Sequence, residues 1–299
     1  MRTPIGIGYA QGWAASPSQN EIGRGNAMEA AMIGVIRCML AVAAVLLTPS
    51  TFAFAAEQVD LLLALSSDVS RSVDHPKFLL QREGYAAAIS DPQVIDAIKS
   101  GPHQRIAVCF VEWSGFGAQK LVIDWTMIDG PGAARKFGDQ LLELPRAFAD
   151  RTSISGGIEF ATAQLERAPF EGARRTIDVS GDGTNNAGRD VKLARDETLA
   201  KGIVINGLVI LSDRPVPWNA EHTNPPGGLE KYYQDNVVGG PGAFVLVAEN
   251  FNSFGQAIIN KMIAEIATAR ERRFASVPML LLDPAHALAP VSFRTIRTE

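Results

Sequence analysis

The sequence predicts an α/β fold in which a doubly wound, mainly parallel sheet is covered by helices on both faces and forms a single domain. Apolar runs of strand length alternate along the chain with segments whose apolar residues recur at helical spacing. The first run, 59–66, is continuously apolar, as in strands that are buried on both faces. Since parallel strands need a crossover connection, the alternation of strands and helices favours a parallel sheet.

The first predicted elements begin at polar or Pro-containing boundaries. Asp74 is a candidate N-cap for the first helix, and Asp91-Pro92 opens a second helical stretch. A short link containing Gly115 and Gly117 joins two strands, which predicts a hairpin and therefore one antiparallel edge strand. In chain order these elements are strand 59–66, helix 76–90, helix 91–99, strand 105–113, strand 119–126, helix 131–144 and helix 154–167.

The rest of the chain repeats the alternation of strand and helix. The Pro- and Gly-rich segment 215–228 is predicted to be a loop, because too few elements follow it for it to be an interdomain linker. The later predicted elements are strand 174–179, helix 188–201, strand 203–210, short helix 229–236, strand 242–248 and helix 251–270.

The N-terminal region has the pattern of a secretory signal peptide, at about 32–55. Arg37 supplies a positive charge, an apolar stretch follows it, and Ala53 and Ala55 provide small residues at the cleavage positions. Cleavage between Ala55 and Ala56 predicts an exported protein, periplasmic or secreted. The alternative is an uncleaved membrane anchor, for which the apolar stretch is short.

The predicted domain boundaries follow from this segment and from the C-terminal tail. Residues 1–55 form the N-terminal extension and signal peptide, and 56–271 form the domain. The tail, 272–299, is interrupted by prolines and is predicted to be loosely ordered.

Composition excludes some classes of function. The chain is 46% hydrophobic and 20% charged, with a formal net charge of −4, and it has no basic stripe interleaved with aromatic residues, so nucleic-acid binding is not expected. The 4 histidines are scattered without metal-ligand spacing. Signal-peptide cleavage would leave Cys109 as the remaining cysteine, which excludes an intramolecular disulfide and predicts a small buried side chain.

Three separate segments deliver short oxygen-bearing side chains to loop tips. In an open α/β sheet such loops meet at the carboxyl edge of the strands, so we expect the side chains to lie together. Carboxylates and hydroxyls without His or Cys suit Mg²⁺ best, with Mn²⁺ or Ca²⁺ as alternatives. The predicted ligands are Asp68, Ser70 and Ser72 after the first strand, Thr152 before helix 154–167, and Asp182 after strand 174–179.

These residues resemble the metal-ion-dependent adhesion site of von Willebrand factor A-type (VWA) domains. Residues 68–72, DVSRS, match its Asp-x-Ser-x-Ser signature. Thr152 matches the threonine of its second loop, and Asp182-Gly183 matches the Asp-Gly of its third loop. Stretches such as RIAVCFVEWSG, TSISGGIEFA and IDVSGDGTNNAG are similar to a bacterial family of exported VWA-like proteins of unknown function.

The resemblance, which spans about 57–270, implies a Rossmann-like sheet with strand order 3-2-1-4-5-6, a divalent cation and protein–protein binding. Two aspartates and a few hydroxyls leave a coordination position open, which a carboxylate of a protein partner would complete. The sequence therefore predicts a binding module, not an enzyme.

Two alternatives stay open at this point. The first is a metal-dependent hydrolase that uses Asp68 or Asp182 on a bound water, although no His, Lys or further Glu accompanies the motif in sequence. The second is a purely structural ion. Nucleotide binding is not expected, because the glycine-rich segment 181–188 lacks a Lys-Ser/Thr pair. Membrane association is expected only if the signal segment is uncleaved.

Overall fold

The computed structural model describes residues 56–212 and 219–275, with side chains described as far as residue 267 of the last helix. The predicted signal peptide and residues 276–299 lie outside the described residues. In chain order the elements are β1 (Glu57–Val59), β2 (Leu62–Asp68), α1 (His75–Ile89), α2 (Pro92–Lys99), β3 (Ile106–Trp113), β4 (Gln119–Ile128), α3 (Pro131–Glu143), α4 (Ile154–Glu166), β5 (Phe170–Gly172), β6 (Arg175–Gly181), α5 (Val191–Ala200), β7 (Val204–Ile210), α6 (Ala220–Thr223), α7 (Leu229–Asn236), β8 (Val245–Ala248) and α8 (Phe254–Ala275).

The main sheet has 6 strands in the order β4-β3-β2-β6-β7-β8. All neighbouring strands are parallel except β4, which pairs antiparallel with β3 at the edge. Counted along the chain, the strands of this sheet follow the order 3-2-1-4-5-6. The predicted α/β class, the antiparallel edge strand and the strand order are therefore confirmed.

The sheet is buried on both faces because successive side chains of a strand point to opposite sides. In β2, Leu63 and Leu65 pack in one apolar cluster with α1, α3 and α8, whereas Leu62 and Ala64 pack in a second cluster with α4, α5 and α7. This double burial explains the continuously apolar strands. Cys109 is fully buried in the second cluster, as predicted.

The last helix is attached to the sheet by buried charges. The Lys261 Nζ atom lies 2.6 Å from Asp178 Oδ1, in β6, and 2.6 Å from Glu265 Oε1 on the next turn of α8. Lys261 and Asp178 are fully buried, so loss of either charge would leave the other buried without its counter-charge. Among the described residues no helix combines the length and the apolar composition that a membrane span requires.

The prediction of one strand over 59–66 is wrong. The chain breaks between β1 and β2, where Asp60 is buried and its carboxylate accepts the backbone N–H of His103 at 3.1 Å. β1 instead pairs with β5, an element that was not predicted, in a separate parallel sheet. The short helix α6 was also missed, and α8 continues to Ala275, into the segment predicted as tail.

One close approach positions α4 on the sheet. A Cβ atom at Gly157 would lie 2.8 Å from ring carbons of Trp113, which is fully buried. Trp113 is thus a core residue and not part of a contact surface.

Replacement of Gly157 by alanine is expected to lower the free energy of unfolding by about 1–3 kcal/mol, because the added methyl group displaces the indole of Trp113. The matched control is Gly132→Ala in α3, where a Cβ atom meets nothing within 4 Å. That control should be neutral or stabilising by up to about 1 kcal/mol. Urea unfolding of both variants measures the difference, and equal stabilities would contradict the packing described above.

Candidate metal centre

The candidate metal centre lies where β2 and β6, which are neighbours in the sheet, end at their carboxyl edge. Asp68 is the last residue of β2, and Asp182 directly follows β6. Ser67 and Ser180 are paired in register, so the two aspartates leave the sheet side by side. The chain connections diverge between these strands, which is the position where open α/β sheets bind ligands.

A glycine at the end of β6 allows this approach. A Cβ atom at Gly181 would lie 2.5 Å from the Tyr233 hydroxyl and 3.2 Å from Asp68 Oδ2. A larger residue at this position would therefore displace the Tyr233 hydroxyl and crowd the first carboxylate.

The hydroxyls connect the two carboxylates through one network of hydrogen bonds. Ser72 donates to Asp182 Oδ1 at 2.5 Å, and its Oγ lies 3.1 Å from Ser70 Oγ. Thr152 donates to Ser70 Oγ at 2.9 Å, and the Ser70 backbone N–H donates to Asp68 Oδ1 at 2.7 Å. The structure thus brings all of the predicted ligands together in a buried cluster. Their role as metal ligands stays a prediction.

The cluster fits a divalent cation because it leaves carboxylate oxygens without hydrogen-bond donors. Asp68 Oδ2 and Asp182 Oδ2 are buried and accept no hydrogen bond in the described part of the chain. Asp182 Oδ2 has Lys77 Nζ at 3.6 Å, beyond hydrogen-bond range, and a buried carboxylate oxygen without a hydrogen bond is costly. A hard cation would satisfy both oxygens. Within the described residues no group of three or more His, Cys, Asp or Glu could hold a metal, so hydroxyls must complete this ligand set.

The raised pKa values of Asp68 and Asp182 also favour a bound cation. Burial, and next the charge of Asp182, raise the pKa of Asp68 to about 8. Burial also raises the pKa of Asp182, although the hydrogen bond from Ser72 and the charge of Lys77 oppose this shift. Two neighbouring carboxylates cannot both ionise cheaply here, and a bound divalent cation would supply the missing positive charge.

The first loop is held by an arginine that sequence reasoning did not single out. Arg146 Nη2 donates to the carbonyl oxygens of Val69, Ser70 and Val73 at 2.6, 2.9 and 2.7 Å. The next residue, Ala147, donates its backbone N–H to Glu112 Oε2 at 2.9 Å. The Arg146 segment is therefore tied both to the first loop and to β3.

The third loop is attached to the second by its asparagines. Asn186 Oδ1 accepts the backbone N–H of Thr152 at 2.9 Å, and the Asn186 N–H donates to the Thr152 carbonyl at 2.9 Å. Asn185 Oδ1 accepts the N–H of Ser155 at 3.1 Å. Both amide side chains thus position the loop that carries Thr152.

The expectation that no His or Lys accompanies the motif is wrong. His222, in α6, places Nε2 3.2 Å from Thr152 Oγ1, and burial lowers the pKa of its imidazole. Lys77 Nζ donates to the Ser72 carbonyl at 2.9 Å and lies 3.6 Å from Asp182 Oδ2. Lys77 lies in the first turn of α1, five residues after Ser72, so its position near the site could have been predicted from the sequence. His222 lies in the Pro- and Gly-rich segment 215–228, whose sequence gives no sign that it approaches the site.

A cavity of about 380 Å³ opens above the cluster, and Ser72, Thr152 and His222 are among the residues that line it. An ion held by the aspartates and hydroxyls would therefore be reached from this cavity.

Without divalent cations, the free energy of unfolding is expected to fall as pH rises from about 5 to about 8. Asp68 stays protonated in the folded protein up to a pKa of about 8, whereas its ordinary value is 3.8, so the unfolded chain binds fewer protons in this range. Saturating Mg²⁺ should reduce the fall, because the ion binds the ionised folded state.

Thermal unfolding across this pH range, in EDTA and in Mg²⁺, measures the effect. Asp178, whose pKa burial raises to about 7, contributes a similar slope in both buffers, so the informative quantity is the difference between them. Identical slopes would contradict cation binding at Asp68.

Replacement of Asp68 by asparagine is expected to abolish the rise in melting temperature that Mg²⁺ produces and to stabilise the cation-free protein at pH 8. The amide removes a buried negative charge and keeps an acceptor for the Ser70 N–H. Asp190→Asn is the matched control, because Asp190 caps α5 through the Lys192 N–H and can cap it as asparagine. Differential scanning calorimetry with and without Mg²⁺ measures both variants.

The fold occurs in solved structures of proteins with low sequence identity. Proximal thread matrix protein 1 from the mussel byssus superimposes with a TM-score of 0.50 and 11% identity, covering 71% of this chain and 49% of its own. Another structure of that protein, described as having a zinc-occupied metal-ion-dependent adhesion site motif, has a TM-score of 0.48 and 14% identity, covering 71% of this chain and 48% of its own. At these identities the likeness concerns the fold alone.

Two bacterial proteins are also similar. The pilus adhesin SpaC from Lactobacillus rhamnosus GG has a TM-score of 0.49 and 11% identity, covering 70% of this chain and 31% of its own. An aerotolerance-related membrane protein from Bacteroides fragilis NCTC 9343 has a TM-score of 0.40 and 20% identity, covering 69% of this chain and 99% of its own. The chain thus spans about half of the matrix protein and about a third of the adhesin.

The sequence comparisons identify a family. No curated protein sequence matches the chain. A family profile described as "Protein of unknown function (DUF1194)" matches residues 58–270. The chain therefore belongs to the DUF1194 family, and its fold is VWA-like.

Proposed function

We propose that the protein is an exported binding module that holds a divalent cation, Mg²⁺ in the first instance, and binds a protein partner through an acidic residue. The observation that carries this proposal is the pair of buried carboxylate oxygens, on Asp68 and Asp182, that accept no hydrogen bond among the described residues. The hydroxyl network around them includes Ser72 and Thr152, which line an open cavity.

The ligand set explains why an ion would bind a further anion. Asp68 and Asp182 balance the charge of a divalent cation, while Ser70, Ser72 and Thr152 offer neutral oxygens. Mg²⁺ prefers six oxygen ligands and keeps several waters where the protein supplies few carboxylates, so a position towards the cavity can take a carboxylate from outside. The chain's own residues would orient the ion, and the partner would complete its coordination.

His222 keeps the hydrolase alternative in consideration. It lines the cavity, burial lowers its pKa, and a neutral imidazole can act as a general base. Its Nε2 atom, however, contacts Thr152 Oγ1, and its Nδ1 atom lies 3.3 Å from Thr184 Oγ1. Both ring nitrogens are therefore occupied by loop contacts, which favours a role in positioning Thr152.

Affinity capture from cell-envelope extract is expected to recover a partner when the immobilised chain 56–299 is loaded with Mg²⁺, and to lose it in EDTA. Asp68→Ala should also lose the partner, whereas Asp190→Asn should retain it. Quantitative mass spectrometry of the eluates measures the recovery.

The outcomes separate the three functions. Capture that ignores both EDTA and Asp68→Ala would overturn the proposal. A melting temperature that falls in EDTA with unchanged capture would indicate a structural ion. Metal-dependent turnover of envelope components that His222→Ala abolishes would indicate a hydrolase.

A further inference from the structure

We infer that the mouth of the metal centre binds a protein segment with several acidic residues and an apolar side chain, and not an isolated carboxylate. This inference rests on the proposed function and adds the chemistry of the partner. It depends on a rim made by Arg71, Arg151 and Phe116.

Arg71 is directed away from the cluster by its position in the first loop. Its neighbours Ser70 and Ser72 point their hydroxyls into the cluster, while the Arg71 side chain is exposed and lines the cavity. Its guanidinium has no hydrogen bond or ion pair within the described residues. The charge is therefore available to a partner.

Arg151 occupies the equivalent position in the second loop. It precedes the buried Thr152, is exposed, lines the same cavity and also lacks a charged partner in the described part of the chain. The Arg71 N–H donates to the carbonyl of Asp150 at 2.7 Å, which ties the two arginine-bearing loops together. Two cationic side chains are thus held at one opening, where the carboxylate of Asp150 also lies and leaves one positive charge in excess.

Several other arginines of the described chain are neutralised, although the exposed Arg135 of α3 makes no ion pair among the described residues. Arg189 lies 2.5 Å from carboxylate oxygens of both Glu159 and Glu197. Arg105 lies 2.6 Å from Glu57. The rim arginines differ from these pairs, and from Arg135, because they are unpaired and also line the cavity. Unpaired charges at such a position favour recognition of acidic groups.

Phe116 adds an apolar contact to the rim. It is 81% exposed, the highest value among the large apolar side chains of the described part, and it lies in the turn between β3 and β4. The adjacent Gly115 would place a Cβ atom 2.8 Å from Asp150 Oδ2, so this turn lies against the arginine-bearing segment. Phe116 does not itself line the cavity, but Asp150 does, so this exposed aromatic residue lies near the mouth and offers an apolar contact there.

Together these residues favour a protein segment over a polysaccharide. Uronic-acid polymers offer carboxylates for the ion and the arginines, and a sugar ring can stack on Phe116. Each ring carries hydroxyls, however, so an aliphatic side chain removes more apolar surface from water there. In the segment that fits best, one acidic residue binds the ion and the acidic residues on either side of it meet Arg71 and Arg151. A following Leu-like residue packs on Phe116.

The test uses the chain 56–299 with saturating Mg²⁺ and acetylated, amidated peptide probes. The probes are Gly-Gly-Glu-Gly-Gly, Gly-Asp-Glu-Asp-Gly and Leu-Asp-Glu-Asp-Leu, with oligogalacturonate as the polysaccharide arm. Isothermal titration measures their dissociation constants. We expect the triacidic peptide to bind about tenfold more tightly than the monoacidic one, and the leucines to tighten binding further.

Substitutions test whether the rim residues cause the increase in peptide affinity. Arg71→Gln with Arg151→Gln should remove the advantage of the triacidic peptide and retain Mg²⁺-dependent binding of the monoacidic one. Phe116→Ser should remove the gain from leucine. Arg135→Gln, on the exposed surface of α3, is the matched control and should change nothing. The Mg²⁺-dependent rise in melting temperature confirms that each variant folds and binds the ion.

Each contrary result has its own meaning. Equal affinities for the two acidic peptides, rim variants without effect, or oligogalacturonate binding as tightly as the leucine peptide would overturn the inference. If the triacidic peptide still binds in EDTA and its binding requires the two arginines, the role of the rim stands and the role of the metal ion is overturned. No binding of the triacidic peptide under any condition would overturn both.

Discussion

The burial of two carboxylates at one edge of a parallel sheet is the constraint on which this molecule depends. Pairing of β2 with β6 places Asp68 and Asp182 side by side and removes both from water. Their mutual repulsion must be offset, and hydroxyls, the Ser70 N–H and the charge of Lys77 offset it in part. The remaining oxygens without hydrogen-bond donors are those that the proposed cation would satisfy.

The surrounding residues serve to keep that arrangement rigid. Arg146 holds three carbonyls of the first loop, and the asparagines of the third loop hold the second. A metal site with few charged ligands gains affinity from such preorganisation, because little ordering is left for the moment of binding. The same loops carry Arg71 and Arg151, so one set of contacts would hold both the proposed ion and the proposed rim.

Prediction from sequence succeeded where the signal is local or periodic. The helix over 76–90 and its cap at Asp74 follow from spacing and side-chain chemistry within a few residues, and Asp74 Oδ1 does accept the Lys77 N–H at 3.0 Å. The break at Asp60 was missed because an apolar run carries no sign that one buried carboxylate inside it binds the distant His103 N–H. β5 was missed since its pairing with β1 is equally distant in sequence.

The sequence by itself determined the alternation of strands and helices, the strand order through its resemblance to VWA domains, and the identity of the five oxygen-bearing residues. Only the tertiary structure decided that their hydroxyls form one network, that Lys77 and His222 join it, and that Arg71 and Arg151 flank its mouth. The physical reason is that periodicity reports which face of an element is buried. Contacts between loops depend on packing between residues far apart in the chain.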